Sequence, residues 1–380
     1  MVFLIIHNEY QHRGGEESVV DFQKNLLEQH GHKVILYTRN YHELGDSSWG
    51  RIKSIFTSIY NSKSIKDIKR IVRQEKPNVA IIHNVFSIIS PAIIPALKKM
   101  NVKVWQIVHN YRMFCPIGIF FHNGKICEQC LKAGREFHCA KNNCTNSRIQ
   151  SLAFAFKFFI VRKLNYYKGV DRFYTLSYFQ KNKFIENGFK EEKIYYLPNT
   201  FVPQDSIIET EDSKKQYIGF VGRLTKEKGF YDFVELAKLL PDYKFVVAGE
   251  VTQEVKRLTI PNNLAFEGFL DKKGMERFYN KCRVIMFLST WYEGFPMVLA
   301  ESLYYKTPLV VNNLSVMAEV VEDNKTGFVL KQKNYETIKE NIIKIFNNKV
   351  LYSSMRENCQ QEFYSKYSVD NYYNNLIKCC

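Results

Sequence analysis

Short runs of Val, Ile, Phe and Tyr alternate along this chain with longer stretches whose apolar residues recur at helical spacing. That alternation, met twice, constrains the fold more than any other feature. In the first half the apolar runs fall at residues 2–7, 33–38, 79–83, 103–108 and 172–177, and the helical stretches near 16–30, 62–75, 88–100 and 149–168. Strands joined through helices pair in parallel, so this half reads as a doubly wound sheet. Pro198, Asn199 and Pro203, followed by the polar run from Glu209 to Lys215, interrupt the rhythm and read as an interdomain connection. The alternation then restarts, with strands at 216–221, 244–249, 283–288 and 308–311 and helices near 228–240, 271–281, 294–305 and 334–347. The expected architecture is α/β, with two doubly wound domains at 1–200 and 201–365. Two such sheets facing each other leave a cleft lined by the carboxyl ends of their strands, where open α/β folds place ligands.

A chain of 380 residues is long enough for two separate cores. No run reaches the roughly 20 apolar residues of a membrane-spanning helix, and no basic segment precedes the strand-like Val2-Phe3-Leu4-Ile5-Ile6, which leads us to expect a cytoplasmic protein. The net charge of +16 is uneven: residues 1–200 hold 30 Lys/Arg against 15 Asp/Glu, and residues 201–380 hold 24 against 23. A basic first half attracts phosphate, whether on nucleic acid, on an anionic leaflet or on a substrate.

Three segments carry chemistry. Glu293-Gly294-Phe295-Pro296-Met297-Val298-Leu299-Ala300-Glu301 follows an apolar strand and opens a helix, so the backbone after Gly294 offers N–H groups to an anion such as a diphosphate. In a helical frame Glu301 lies about two turns beyond Glu293. One of these carboxylates faces a sugar and the other a ribose, or both are solvated on a capped surface helix. Gly222-Arg223-Leu224-Thr225-Lys226-Glu227-Lys228-Gly229 is a second strand end leading through a glycine turn into a helix. There Arg223, as a bidentate fork, and Lys228, as a point charge, suit a diphosphate. Arg13-Gly14-Gly15-Glu16-Glu17-Ser18 is the third. Its paired glycines either let backbone approach a ligand or form a plain turn.

Together with His109-Asn110-Tyr111-Arg112, these segments resemble glycosyltransferase family 4, and the resemblance covers nearly the whole chain. It implies the GT-B fold of two facing Rossmann-like domains, with the segment 366–380 packing back on the first of them. It further implies a retaining transfer from a nucleotide-diphosphate sugar, a UDP-sugar foremost, to a saccharide or lipid-linked acceptor. By that resemblance Arg223 and Lys228 bind the donor diphosphate, Glu293 the sugar hydroxyls, the Gly294, Phe295 and Pro296 backbone the sugar and phosphate, and Glu301 the ribose. His109 contacts the sugar near the reacting centre, and Gly15, beside Gly14, approaches the phosphate from the other domain. No cofactor is then needed for the departure of the diphosphate, because cations and a helix start stabilise it.

Cys115, Cys127, Cys130, Cys139 and Cys144 crowd a loop-rich insertion at about 115–148. A C-x2-C pair followed by further cysteines has the spacing of a structural zinc site, expected from Cys127, Cys130, Cys144 and either Cys115 or Cys139, with reduced thiols as the alternative. The aromatic and basic stretch 152–168 reads as a core helix of the first domain or as a helix on an anionic membrane surface, which makes peripheral attachment to the inner face of the membrane an expectation. Competing functions are a same-fold nucleotide-sugar epimerase and a non-enzymatic binder of nucleic acid or membrane. The chain lacks a helix-turn-helix, an RNP pattern and His-paired finger spacing, so we expect no nucleic-acid partner. Cell-envelope or capsular polysaccharide assembly is the expected setting.

Overall fold

The computed structural model of the chain describes residues 1–10, 14–44, 48–86, 88–202 and 215–378. Pro203 and the run 209–214 of the expected connection, and Arg13 of the third motif, lie outside the described residues. By contacts the chain divides into two compact units, Met1–His122 with Cys127–Leu197, and Asn123–Ile126 with Pro198–Cys380.

The first unit is built on β1 (Val2–Glu9), β2 (Lys33–Asn40), β3 (Val79–Asn84) and β4 (Lys103–Val108). In chain order β5 (Phe121–His122) and β6 (Lys125–Ile126), the latter grouped with the second unit, precede β7 (Arg172–Thr175) and β8 (Ile194–Tyr196). Six of these strands form one sheet in the order β2-β1-β3-β4-β7-β8, every pair parallel. All six residues of β3 are buried, as expected for a parallel strand covered on both faces. Side-chain caps set the helix starts: Asn61 accepts from the Ser64 N–H ahead of the helix Ser62–Glu75, and Ser147 from the Gln150 N–H ahead of Arg148–Leu164. The second of these helices stops at Asn165, which is left-handed at φ 49°. The helix expected over 88–100 is only Ile93–Lys98, because Ser90 takes a left-handed φ of 72° just before Pro91.

The second unit repeats the plan with β9 (Tyr217–Val221), β10 (Lys244–Ala248), β11 (Leu264–Phe266), β12 (Cys282–Phe287), β13 (Leu309–Asn312) and β14 (Gly327–Leu330). Their order is β11-β10-β9-β12-β13-β14, again all parallel. Counted along the chain this is 3-2-1-4-5-6, the Rossmann order, and its direction reverses between β9 and β12. A core of Phe220, Phe230, Phe233, Phe245, Val284, Met286 and their neighbours fills one face. Lys215 enters the interior and donates to the Tyr279, Cys282 and Tyr305 carbonyls and to the Thr307 hydroxyl, so a buried ammonium is satisfied by dipoles alone. Among the described residues no helix is long and apolar enough to cross a membrane.

Candidate functional site

In the second unit the turns after β9 and β12 lie side by side at the point where the strand order reverses. Gly229 makes this close approach possible. Its φ is 83°, and a Cβ placed there would stand 2.4 Å from the Leu288 carbonyl oxygen. The Thr290 N–H donates to the Glu227 carbonyl at 2.8 Å, and Asn312 at the end of β13 donates to the Leu288 and Ser289 carbonyls at 3.0 Å. Backbone contacts therefore fix the two turns to each other before any side chain acts.

The consequence is a convergence of the residues singled out in sequence. Lys228 Nζ donates to Glu293 Oε1 at 2.6 Å, and the same oxygen accepts from Ser289 Oγ and Trp291 Nε1, each at 2.7 Å. Glu293 is only 9% exposed, and three donors on one oxygen hold it in a single position. The Trp291 ring lies 5.4 Å from the Arg223 guanidinium and 5.2 Å from the Lys228 ammonium, so one indole carries both cations. Trp291 and Ser289 were not singled out in sequence. Both lie within four residues of Glu293, and neither carries a spacing signal.

Glu293 and Glu301 do not share a helix. The helix is Met297–Tyr304, and Pro296, with no N–H and an extended backbone at φ −65°, ψ 130°, begins it three residues later than expected. Gly294 and Phe295 thus belong to the turn, where the Phe295 carbonyl accepts from Asn199 at 3.2 Å. Glu301 sits inside the helix and accepts from the Tyr279 hydroxyl at 2.6 Å. Burial raises its carboxyl above the ordinary value, and the tyrosine only partly opposes this.

The first unit has its own polar centre at the carboxyl ends of β1, β3 and β4. His109 Nε2 lies 2.8 Å from His83 Nδ1, and His83 Nε2 lies 2.9 Å from Gln23 Oε1. With the amide oxygen of Gln23 facing it, His83 carries its proton on Nε2, accepts from His109 Nε2–H, and leaves the lone pair of His109 on Nδ1. Burial, then the charges of His109 and His7, hold His83 well below the usual imidazole value. Burial likewise lowers His109 against the opposing charges of Glu16 and Glu17. Gly14 and Gly15 begin the helix Gly15–Gln29. Glu17 accepts from the backbone N–H groups of Gly14 at 2.8 Å and Tyr10 at 3.0 Å, while Glu16 accepts from Asn110 at 3.1 Å. A Cβ on Gly15 would meet nothing within 4 Å, so the protein's own packing does not demand glycine there.

Both histidines resist protonation, which gives the stability a pH dependence. An unfolded histidine takes up a proton near pH 6.5, whereas His83 and His109 in the fold do so only at lower pH. Stability is therefore complete above about pH 6.5 and falls as pH drops from there through the folded values. Urea midpoints at pH 7.5 and 5.5 are expected to differ, and His83→Gln to flatten that difference. Equal midpoints for the unmodified protein would refute the assignment.

In the cysteine-rich insertion, Cys130 and Cys139 form a small buried core with Ala155, against which Cys144, Ile117 and Phe154 pack. Cys115 is also buried, and Cys127 is half-buried, accepting weakly from Asn142 at 3.9 Å. Burial pushes the Cys130 thiol up to about 12. Among the described residues no three His, Cys, Asp or Glu side chains are grouped so as to hold a metal ion. The insertion is fastened to the helix Arg148–Leu164 by Arg162, which donates to Glu136 at 2.9 Å and to the Leu131 carbonyl at 2.8 Å. Glu136 is 1% exposed, so Arg162→Met leaves a buried carboxylate held, among the described residues, by the Gly134 N–H alone. The expected cost is about 3–5 kcal/mol. A calorimetric unfolding transition left in place would contradict it.

Two parallel six-stranded sheets of Rossmann-like type, one bearing two cations and a carboxylate at its switch point, define a protein of the GT-B fold. The Glycosyltransferase Family 4 model matches residues 13–204, and the Glycosyl transferases group 1 model matches residues 202–362. The chain belongs to glycosyltransferase family 4. It is 24% identical over 348 residues to an uncharacterized 42.6 kDa protein in the cps region of Klebsiella pneumoniae, covering 83% of this chain and 85% of that one. It is 25% identical over 213 residues to the capsular polysaccharide biosynthesis glycosyltransferase CapM of Staphylococcus aureus, 51% of each chain. The fold matches the crystal structure of Anabaena HepE in complex with UDP and glucose at a TM-score of 0.65 and 14% identity, covering 99% of this chain and 98% of that one.

Proposed function

We propose that this glycosyltransferase takes a monosaccharide from a nucleotide-diphosphate sugar, a UDP-sugar foremost, and transfers it with retention to a saccharide or lipid-linked acceptor in capsular or other cell-envelope polysaccharide synthesis. The observation that carries the reading is the gathering of Arg223, Lys228 and Glu293 around Trp291. When the bond from the anomeric carbon to the diphosphate breaks, negative charge grows on the leaving oxygens. Arg223, Lys228 and the first N–H groups of the helix Met297–Tyr304 stabilise that charge from fixed positions, which lowers the barrier more than it tightens ground-state binding. Glu293 orients Lys228 and accepts from a sugar hydroxyl, and Glu301 accepts from the ribose. The neutral His109, with its lone pair on Nδ1, accepts from a second sugar hydroxyl. Retention follows if the acceptor attacks the face from which the diphosphate departs, with a phosphate oxygen taking the acceptor's proton.

The names of CapM and HepE, a capsule enzyme and a protein seen with UDP and glucose, support the setting and the donor. The basic first half supports work at an anionic membrane surface. A thermal-shift screen across nucleotide-diphosphate sugars tests the reading. A donor present at 100 times its dissociation constant stabilises the fold by about 2.7 kcal/mol. If no such sugar raises Tm, the reading fails.

A further inference from the structure

The first unit contains two adjoining cavities of about 290 and 240 Å3, which share Phe86, Arg112 and Phe158. They lie between the helix Arg148–Leu164 and the turn that follows His109. Among the described residues no carboxylate lines either of them. Arg162, on the wall of the larger, is already committed to Glu136. Lys157 and Arg112 have no such partner: among the described residues neither makes an ion pair. The Lys157 ammonium rests 5.1 Å and 4.8 Å from the Phe86 and Phe154 ring centroids, and the Arg112 guanidinium 5.8 Å from that of Tyr10. Burial, then the charge of Arg112, push the Lys157 ammonium down to about 8. Two half-buried cations with no acidic partner among the described residues are electrostatically unbalanced, and an anion between them restores the balance.

The rest of the larger lining is apolar, with Met113, Phe158 and Phe189 prominent. A small anion leaves that surface uncovered, whereas a phosphate ester of a hydrocarbon chain covers it. The outer face of the same helix points to where such a molecule comes from. Ile149 is 85% exposed there, and Leu152, Phe156 and Leu164 continue the stripe. Phe56, 64% exposed, lies on the neighbouring helix Ser48–Ile59. An exposed apolar stripe of this kind is suited to the boundary between lipid headgroups and chains.

We propose that these cavities bind the phosphate and the first carbons of a lipid-linked acceptor, with Arg112 and Lys157 pairing the phosphate. The proposal rests on the glycosyltransferase reading above and narrows its acceptor to an anionic lipid. The full-length protein is titrated with farnesyl phosphate, with farnesol, with inorganic phosphate and, separately, with UDP. Saturable binding of farnesyl phosphate is expected, at least tenfold tighter than either farnesol or inorganic phosphate. Lys157→Met is expected to weaken it about tenfold or more and Lys157→Arg to retain it, since arginine keeps the charge-assisted hydrogen bond that methionine removes. An unchanged near-UV circular dichroism spectrum and Tm serve as the folding control in every variant, and UDP affinity reports the donor site separately. Equal binding of farnesol, equal binding of inorganic phosphate, or no saturable binding while UDP still binds would each overturn the proposal alone. Loss of UDP binding by the unmodified protein would overturn the donor reading and leave the lipid titration to be judged separately.

Discussion

Glu293→Ala is expected to lower turnover of the nucleotide-sugar donor by about 10²–10³-fold, the range seen when one preorganised electrostatic contact is removed from a transition state. In the fold, Glu293 Oε1 gathers the Lys228 ammonium, the Ser289 hydroxyl and the Trp291 indole N–H within 2.7 Å. On the proposed function, removing the carboxylate frees Lys228 to leave the diphosphate position and deletes an acceptor for the sugar. Glu293→Gln keeps the shape and an acceptor for Ser289 and Trp291 but lacks the charge that fixes Lys228. It is expected to fall between the alanine variant and the unmodified enzyme. Release of UDP from a UDP-sugar reads all three, and full turnover by the alanine variant would contradict the role.

The second large effect is structural. Gly229→Ala places a Cβ 2.4 Å from the Leu288 carbonyl oxygen and 2.5 Å from its Cβ, at a φ of 83° that a side chain rarely adopts. The left-handed backbone alone costs roughly 1–2 kcal/mol. The clash is with backbone, which cannot turn aside as a flexible side chain would. We expect a total of about 3 kcal/mol, which lowers Tm by roughly 6–12 °C for a unit of this size. Because the clash pushes apart the two turns that carry Lys228 and Glu293, donor binding should fall as well. A variant with unchanged Tm and unchanged donor affinity would show that the turns are not held by this approach.

The strands most legible in sequence were those buried on both faces. The run at 79–83 is β3, and 283–288 overlaps β12 at 282–287, because continuous Val, Ile and Phe leave few alternatives. The strands not foreseen, β5, β6, β8, β11 and β14, have only two to four residues each, too short to show any period. The helix at 178–186 escaped notice because its apolar face is weak: only Gln180 and Phe184 are buried in it. At the site, Arg223, Lys228 and Glu293 were legible because each lies just beyond a strand end and beside a glycine, Gly222, Gly229 or Gly294. The His83–Gln23 pair was not, since it joins residues 60 apart, one on β3 and one on the helix Gly15–Gln29, that meet only when the helix packs on the sheet. The helical spacing expected between Glu293 and Glu301 failed because a proline start, unlike an apolar period, moves a boundary without leaving a trace in the pattern.

Calorimetric titration of UDP into the unmodified protein and into the double variant Arg223→Ala, Lys228→Ala tests most directly the claim that these two cations hold the donor's diphosphate. The account predicts saturable binding by the unmodified protein, stronger for UDP than for UMP, and a loss of at least 100-fold in the double variant, about 1.4 kcal/mol for each lost charge contact. Undiminished UDP affinity in a folded double variant would contradict it.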